Sequence, residues 1–471
     1  MSHNSNSDKN STKNKTHNNS LSSSSLTIQE KANELFTNKE ILAPMVRAST
    51  TPLRTLALQY GADLVYTEEI IDRSMIDKCD RIVNDELGTI DYCRSLSSFS
   101  KKHRNRILRE AEKLVKIDGC GKETLDKDSL MKQATPVILR IVPELERGKL
   151  IYQMGTGEAN LALQAATKVA PDVDGIDINM GCPKKFSVSG GMGSALLSDV
   201  HRACDIIKTL KRNIATIPIS CKIRLLENTS KTIDFVKALE QAGVNAIAVH
   251  AREVGDESTM KAKWERLEPV LQSVKGQIPT IINGDLFNRK TIDDVKTMTG
   301  ADSVMLARPA LYNTSIFLPK PMDKTEVIQE YIRHAVRWRT HPKNVKYVIC
   351  EMMNNRRHPH HLVPYLPQNY PQEQTISDVC STSTMTEICK LWDVNMTRAM
   401  DRNMDSSNAQ DAFFAQPTTE HKYHDDYFLK TRDKDNEAEN KNSSFGNTLG
   451  DGKKNENIEG QTSKRKLAEI Q

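Results

Sequence analysis

The chain has 471 residues, 38% of them hydrophobic, and its 66 Lys and Arg against 61 Asp and Glu give a formal net charge of +5. That length suits one large domain plus a smaller one. No run approaches the roughly 18–20 consecutive apolar residues of a membrane-crossing helix, which speaks against a membrane protein of that kind.

At the N-terminus, "MSHNSNSDKNSTKNKTHNNSLSSSSL" (1–26) is almost wholly polar. It offers neither the apolar core of a secretory signal nor the arginines of a mitochondrial presequence. Such a stretch cannot bury enough apolar surface to offset the entropy of ordering, so 1–32 is expected to be a disordered tail. The charged stretch 401–471 is expected to behave likewise. A cytoplasmic protein is expected. "SKRK" at 463–466 reads as a solvated charge run, with a nuclear signal as the alternative. The nine cysteines show no CxxC pair and no Cys/His metal spacing, so reduced thiols and no metal are expected.

Between the tails, short β-branched runs alternate with helical patterns. The predicted strands are 41–46, 63–68, 149–154, 175–180, 218–224, 246–252, 278–283 and 303–308. Several are apolar at consecutive positions, as in parallel strands buried on both faces. Helical stretches such as 51–61, 158–170 and 231–243 separate them, with Gly61 and Gly243 as helix stops. Eight β/α units over about 270 residues predict an α/β fold, a (β/α)8 TIM barrel over 33–317. A doubly wound open sheet is the alternative. The run "TPVILRIV" (135–142) lies too close to 149–154 for a helical crossover and is read as its hairpin partner. Residues 95–133 read as a charged insertion, and 318–400 as a smaller C-terminal helical domain. A basic run follows Tyr331: Arg333, Arg337, Arg339, Lys343, Lys346, Arg356 and Arg357 precede His361, opposed only by Glu351. It would suit a polyanion, and equally a solvated helix face.

Functional residues of such barrels lie at the C-terminal ends of strands. Those ends carry Pro44 and Met45, Glu68 and Glu69, Gln153, Asn179, Lys222 and Arg224, His250 and Arg252, Asn283–Gly284–Asp285, and Arg308. "NGD" after strand seven and "ARP" after strand eight mark a phosphate position, with Arg308 as a charged donor. A phosphate there, with Lys222 and Gln153 nearer the centre, suits flavin mononucleotide (FMN), the lysine stabilising an anionic reduced ring. Cys182 sits in "GIDINMGCPKKFSVSGGMGSALL" (175–197), on a Gly-Cys-Pro turn that packing does not explain. It is read as a working thiol able to give a proton. Lys184 and Lys185 beside it are read as phosphate-backbone contacts.

On these motifs, with "YQMGT" (152–156), "CKIRLL" (221–226), "AIAVHAR" (246–252), "IINGD" (281–285) and "SVMLARPALYNTSIF" (303–317), the chain resembles the tRNA-dihydrouridine synthases. The resemblance is to the eukaryotic branch acting on uridine 20 of the D-loop, and covers roughly 41–355. It implies that Cys182 protonates uracil C5 while reduced FMN delivers hydride to C6, with NADPH (or NADH) as reductant. It implies FMN contacts from Pro44, Met45, Val46, Gln153, Lys222, His250, Asn283, Gly284, Asp285, Ala307 and Arg308. The tRNA is expected to meet Asn179, Lys184, Lys185, Arg224, Arg252, Arg333 and Arg337, with its target base taken out of the stack. Animal members carry a double-stranded-RNA-binding domain after the helical domain. The polar C-terminal stretch here is expected not to form one. The rivals are an FMN barrel reducing a free pyrimidine, of the dihydroorotate dehydrogenase type, and a non-catalytic tRNA-binding protein. No obligate protein partner is expected.

Overall fold

The computed structural model describes residues 26–77, 79–95, 100–102, 104, 105, 109, 136–354 and 374–400. Most of the charged insertion, the stretch 401–471, and Arg356, Arg357 and His361 lie outside the described residues.

Strands β1 (Glu40–Leu42) and β2 (Leu64–Tyr66) open the barrel. β3 (Ile70–Ile71) is a two-residue addition paired to a later strand, whereas β4 (Cys79–Asn84), β5 (Thr89–Arg94) and β6 (Val137–Ile141) form a separate antiparallel sheet. β7 (Leu150–Gly155), β8 (Gly175–Met180), β9 (Ile219–Leu225), β10 (Ala246–Glu253), β11 (Thr280–Asn283) and β12 (Ser303–Leu306) complete the barrel. Parallel pairing runs β2-β1-β12-β11-β10-β9-β8-β7. The ring closes where Val65 of β2 faces Leu150 of β7 and Tyr66 faces Ile151. That closure excludes the open sheet. β7 and β8 are buried at every position, as continuous apolar strands covered on both faces must be.

Inside the ring, Ile41, Ala43, Leu64, Tyr66, Ile151, Ala246, Ala248, Ile281 and Met305 pack together. They are joined by Ala32 and Phe36 of helix α1 (Ile28–Phe36), which closes the end of the barrel where the strands begin. The expectation of a disordered tail over 1–32 fails at its end, where Thr27 caps α1 reciprocally with Glu30; residues 1–25 lie outside the described residues. Ala32 and Phe36, with Leu35 packed beside them, suffice there because they enter an existing core.

Helices α2 (Thr51–Gln59), α3 (Ala159–Val169), α4 (Val200–Asn213), α5 (Thr229–Ala242) and α6 (Arg289–Thr299) cover the outside. The side chains of Asp199, Asn228 and Asn288 cap the last three. The hairpin expected between 135–142 and β7 does not form. β6 pairs antiparallel with β5, Ile141 opposite Ile90, and a helical turn at Pro143–Glu146 then redirects the chain onto the barrel. A buried ion pair fixes that turn: Arg54 Nε meets Glu146 Oε1 at 2.6 Å, with side chains 1% and 0% exposed.

After β12 come α7 (Arg308–Tyr312), α8 (Lys324–Arg337) and α9 (Pro342–Met353), followed by short helices at Ile376–Ser381, Met385–Leu391 and Met396–Met400. The basic run is carried on two helices, because Arg339 turns left-handed and Pro342 starts α9. His334 Nδ1 lies 2.7 Å from Thr55 Oγ1 and Trp338 Nε1 donates to the same oxygen at 3.1 Å, seating α8 on α2. The apolar core runs unbroken from the barrel shell into these helices.

Candidate active site

At the end of β8, Asn179 Oδ1 accepts the backbone N–H groups of Gly181 at 2.9 Å and Cys182 at 3.0 Å. The carbonyl of Cys182 accepts from Ser194 N at 3.0 Å. Between these anchors, Gly193 has φ of 58°, and a Cβ there would lie 2.5 Å from Ser187 Oγ and 2.6 Å from the Cys182 carbonyl. Only glycine allows the loop to close so tightly under the thiol. Cys182 is half-buried. Burial pushes its pKa above the ordinary value, the Glu69 carboxylate adds to that, and the Lys184 N–H and Ser187 hydroxyl oppose it. Burial also raises Glu69. No hydrogen bond of ordinary geometry reaches its Oε1, although Cys182 and Asn179 are its polar neighbours. Lys184 and Lys185 stand exposed beside the thiol.

The barrel centre is a polar network set into apolar strands. Gln153 Nε2 donates to Asp177 Oδ2 and Ser220 Oγ to Asp177 Oδ1, each at 2.8 Å. Burial drives the Asp177 carboxyl up to about 6, against the hydrogen bonds of Gln153 and Ser220 and the charge of Lys222. Lys222 lies opposite Asn179 in the pairing of β8 with β9. Burial, then Arg224, bring its ammonium down to about 8, while Asp177 and Cys182 pull the other way. Lys222 is thus a cation whose charge is held less firmly than an exposed lysine's.

The third part lies at β10, β11 and α7. Gly284 has φ of 123°, and a Cβ there would lie 3.1 Å from His250 Cδ2. The carboxylate of Asp285 collects Arg252 Nη2 at 2.7 and 2.6 Å, Arg308 Nη2 at 2.6 Å and the Ala262 N–H at 2.8 Å. Arg252 Nη1 lies 3.2 Å from His250 Nε2. A guanidinium only donates, so this nitrogen accepts and Nδ1 carries the hydrogen. His250 is held neutral, its pKa well below the usual value through burial and then the charges of Lys222, Arg224, Arg252 and Arg308. Arg308 also donates to the Ser258 carbonyl at 2.7 Å, and Asn283 Nδ2 to the Met305 carbonyl at 2.8 Å. On the β1 side, Pro44 and Met45 are half-buried and Val46 is exposed. Ala307 is half-buried at the end of β12.

Most of the anticipated residues therefore converge on the mouth, with different tasks for some. Arg252, 1% exposed, is tied to Asp285 and offers no open surface to an RNA. Arg224 donates to the Glu253 carbonyl at 2.9 Å beside Gly181. Arg333 does not join the mouth. It pairs with Glu330, which meets Gln59, the last residue of α2, so it lies along the barrel flank. Arg337 is half-buried one turn further along α8. The basic run is less free than expected, since Glu330 and Glu86 pair with Arg333 and Arg339, and Lys346 donates to the carbonyls of Cys380 and Thr382. Ser187, Gly193, Asp177 and Ser220 were not anticipated. The one available signal was an aspartate in the middle of an apolar strand.

The family described as "Dihydrouridine synthase (Dus)" matches residues 104–397. The chain belongs to that family. It is 34% identical over 325 residues to the tRNA-dihydrouridine(20) synthase [NAD(P)+] of Schizosaccharomyces pombe, covering 68% of this chain and 60% of that one. It is 33% identical over 331 residues to the Saccharomyces cerevisiae protein of the same name, covering 68% and 78%. A tRNA-dihydrouridine(16/17) synthase [NAD(P)(+)] of S. pombe is 29% identical over 289 residues, covering 61% and 59%. Within this chain, the match over 104–397 takes in the Cys182 loop, Lys222, the Asp285 cluster and α8 and α9.

Proposed function

We propose that this dihydrouridine synthase reduces the C5–C6 double bond of a D-loop uridine, position 20, in cytoplasmic tRNA. FMN is the cofactor and NADPH (or NADH) the reductant. One observation carries the reading: a thiol kept protonated by burial and by Glu69, on a turn anchored by Asn179 at a barrel-strand end.

The residues at the mouth suit FMN. Arg252 and Arg308 share the single carboxylate of Asp285, leaving a cationic edge for a phosphate. Gly284 keeps side-chain bulk away from His250. Lys222 can set a positive charge against an anionic reduced ring. A bound flavin supplies the hydride for C6 of the pyrimidine. Cys182 supplies the proton for C5, and its thiol then regains a proton from solvent. Glu69 favours the protonated thiol at neutral pH. The names of the yeast relatives favour position 20.

The test is the visible spectrum of the purified chain, with NADPH-driven dihydrouridine formation on unmodified tRNA and, in parallel, on free uridine and orotate. Flavin bands with turnover on tRNA are expected. Turnover on a free pyrimidine alone would replace this reading with the metabolic one, and RNA binding without flavin would replace it with the non-catalytic one.

A further inference from the structure

We propose that Arg47, held over the ring of Tyr347, grips a backbone phosphate of the RNA strand entering the mouth. This rests on the tRNA reading above and names a residue that acts in it. Arg47 follows β1 directly after Met45 and Val46 and is exposed. Its φ is 67°. Of the five non-glycine described residues with positive φ, Asn38, Asp285 and Asp393 are types that tolerate that region. Arg339 belongs to the turn between α8 and α9, and Glu86 takes its charge.

Arg47 has no such excuse, so its strain must be imposed by its surroundings. Its N–H donates to Glu68 Oε2 at 2.9 Å, while Ala48 N and Ser49 N both bond the Met45 carbonyl. The guanidinium carbon lies 5.5 Å from the Tyr347 ring centroid. One turn earlier on α9, Asn344 Nδ2 donates to Thr50 Oγ1 at 3.2 Å, fixing that helix against the same loop.

Arg54, Arg140, Arg252, Arg308 and Arg333 each make an ion pair. Among the described residues Arg47 makes no direct ion pair, and the Glu68 carboxylate, which accepts its backbone N–H, acts on its guanidinium only through charge at longer range. The aromatic ring holds the guanidinium from one side, and the N–H fork of a guanidinium matches the geometry of a phosphate. Since Arg47 stands at the seam of barrel and helices, next to positions expected at the flavin, that phosphate belongs to the strand flanking the extruded nucleotide.

The test uses the flavin-loaded full chain and fluorescence anisotropy of unmodified tRNA at several salt concentrations. Arg47→Ala is expected to weaken binding about tenfold and to make the slope of log affinity against log salt shallower by about one. Tyr347→Phe should behave as the parent, and Tyr347→Leu should weaken binding in the same direction. Arg47→Gly is the sharpest variant. Relief of the positive φ should raise its melting temperature while RNA affinity falls, whereas a merely structural arginine would lower the melting temperature. At saturating tRNA, turnover by Arg47→Ala should stay within about threefold of the parent, the effect residing in KM. Unchanged affinity and salt slope in Arg47→Ala overturn this proposal alone. A parent chain that binds no tRNA overturns it together with the tRNA reading.

Discussion

The side-chain oxygen of Asn179 accepts the N–H of Cys182 at 3.0 Å, so the last part of β8 sets the position of the thiol that follows it. Asn179 was expected to meet RNA, yet this oxygen already serves two backbone donors. Asn179→Ala would leave both unsatisfied, at about 1–3 kcal/mol each if they stay buried. The loop should then loosen, dihydrouridine formation should fall about 10–100-fold, and iodoacetamide should label Cys182 faster.

On the proposed function, Cys182→Ala removes the proton donor. General acid catalysis is worth about 10²–10⁴-fold, and the loss of dihydrouridine should fall in that range. Flavin absorbance and its bleaching by NADPH should persist. Loss of the flavin in the same variant would move Cys182 from chemistry to cofactor binding.

The pH profile reports on Glu69. Burial of the Cys182 thiol, and then the negative charge of Glu69, raise it above the ordinary value. Glu69→Gln removes the charge, so the thiol ionises at lower pH. The alkaline limb of single-turnover uridine reduction should move to lower pH, and the onset of alkylation with it. An unmoved alkylation profile would sink the pairing of these two groups.

On the proposed function, Arg308 bears on the cofactor. A hydrogen bond to a charged group is worth about 1.5–3 kcal/mol, so Arg308→Ala should weaken flavin retention roughly 10–100-fold, read by equilibrium dialysis. Flavin without its phosphate should bind the variant and the parent alike.

The Arg54–Glu146 pair bears on stability. Glu146→Leu strands a buried guanidinium and should cost about 3–5 kcal/mol. Arg54→Met combined with Glu146→Leu should recover much of it, as two apolar residues replace two charges. Denaturant unfolding followed by flavin fluorescence measures both.

The eight barrel strands and most mouth residues were legible because each strand is an apolar run ending in a polar group. β4 and β5 escaped: "CDRIVN" is exposed along most of its length, and "TIDYCR" hides its apolar content among polar residues. The partnership of Arg252 with Asp285 spans 33 residues and exists only once β10 and β11 lie side by side. The flank position of Arg333 depends on α8 packing along α2, which no local spacing encodes. α1 was hidden by the polar stretch before it, although the Thr27–Glu30 box was visible.

Ala32 and Phe36 of α1 stopper the barrel from below, so any substrate must approach the polar groups gathered at the other end of the strands. On the proposed function, reductant and RNA would share that threshold, one departing before the other is admitted. Steady-state rates plotted as double reciprocals should fall on parallel lines.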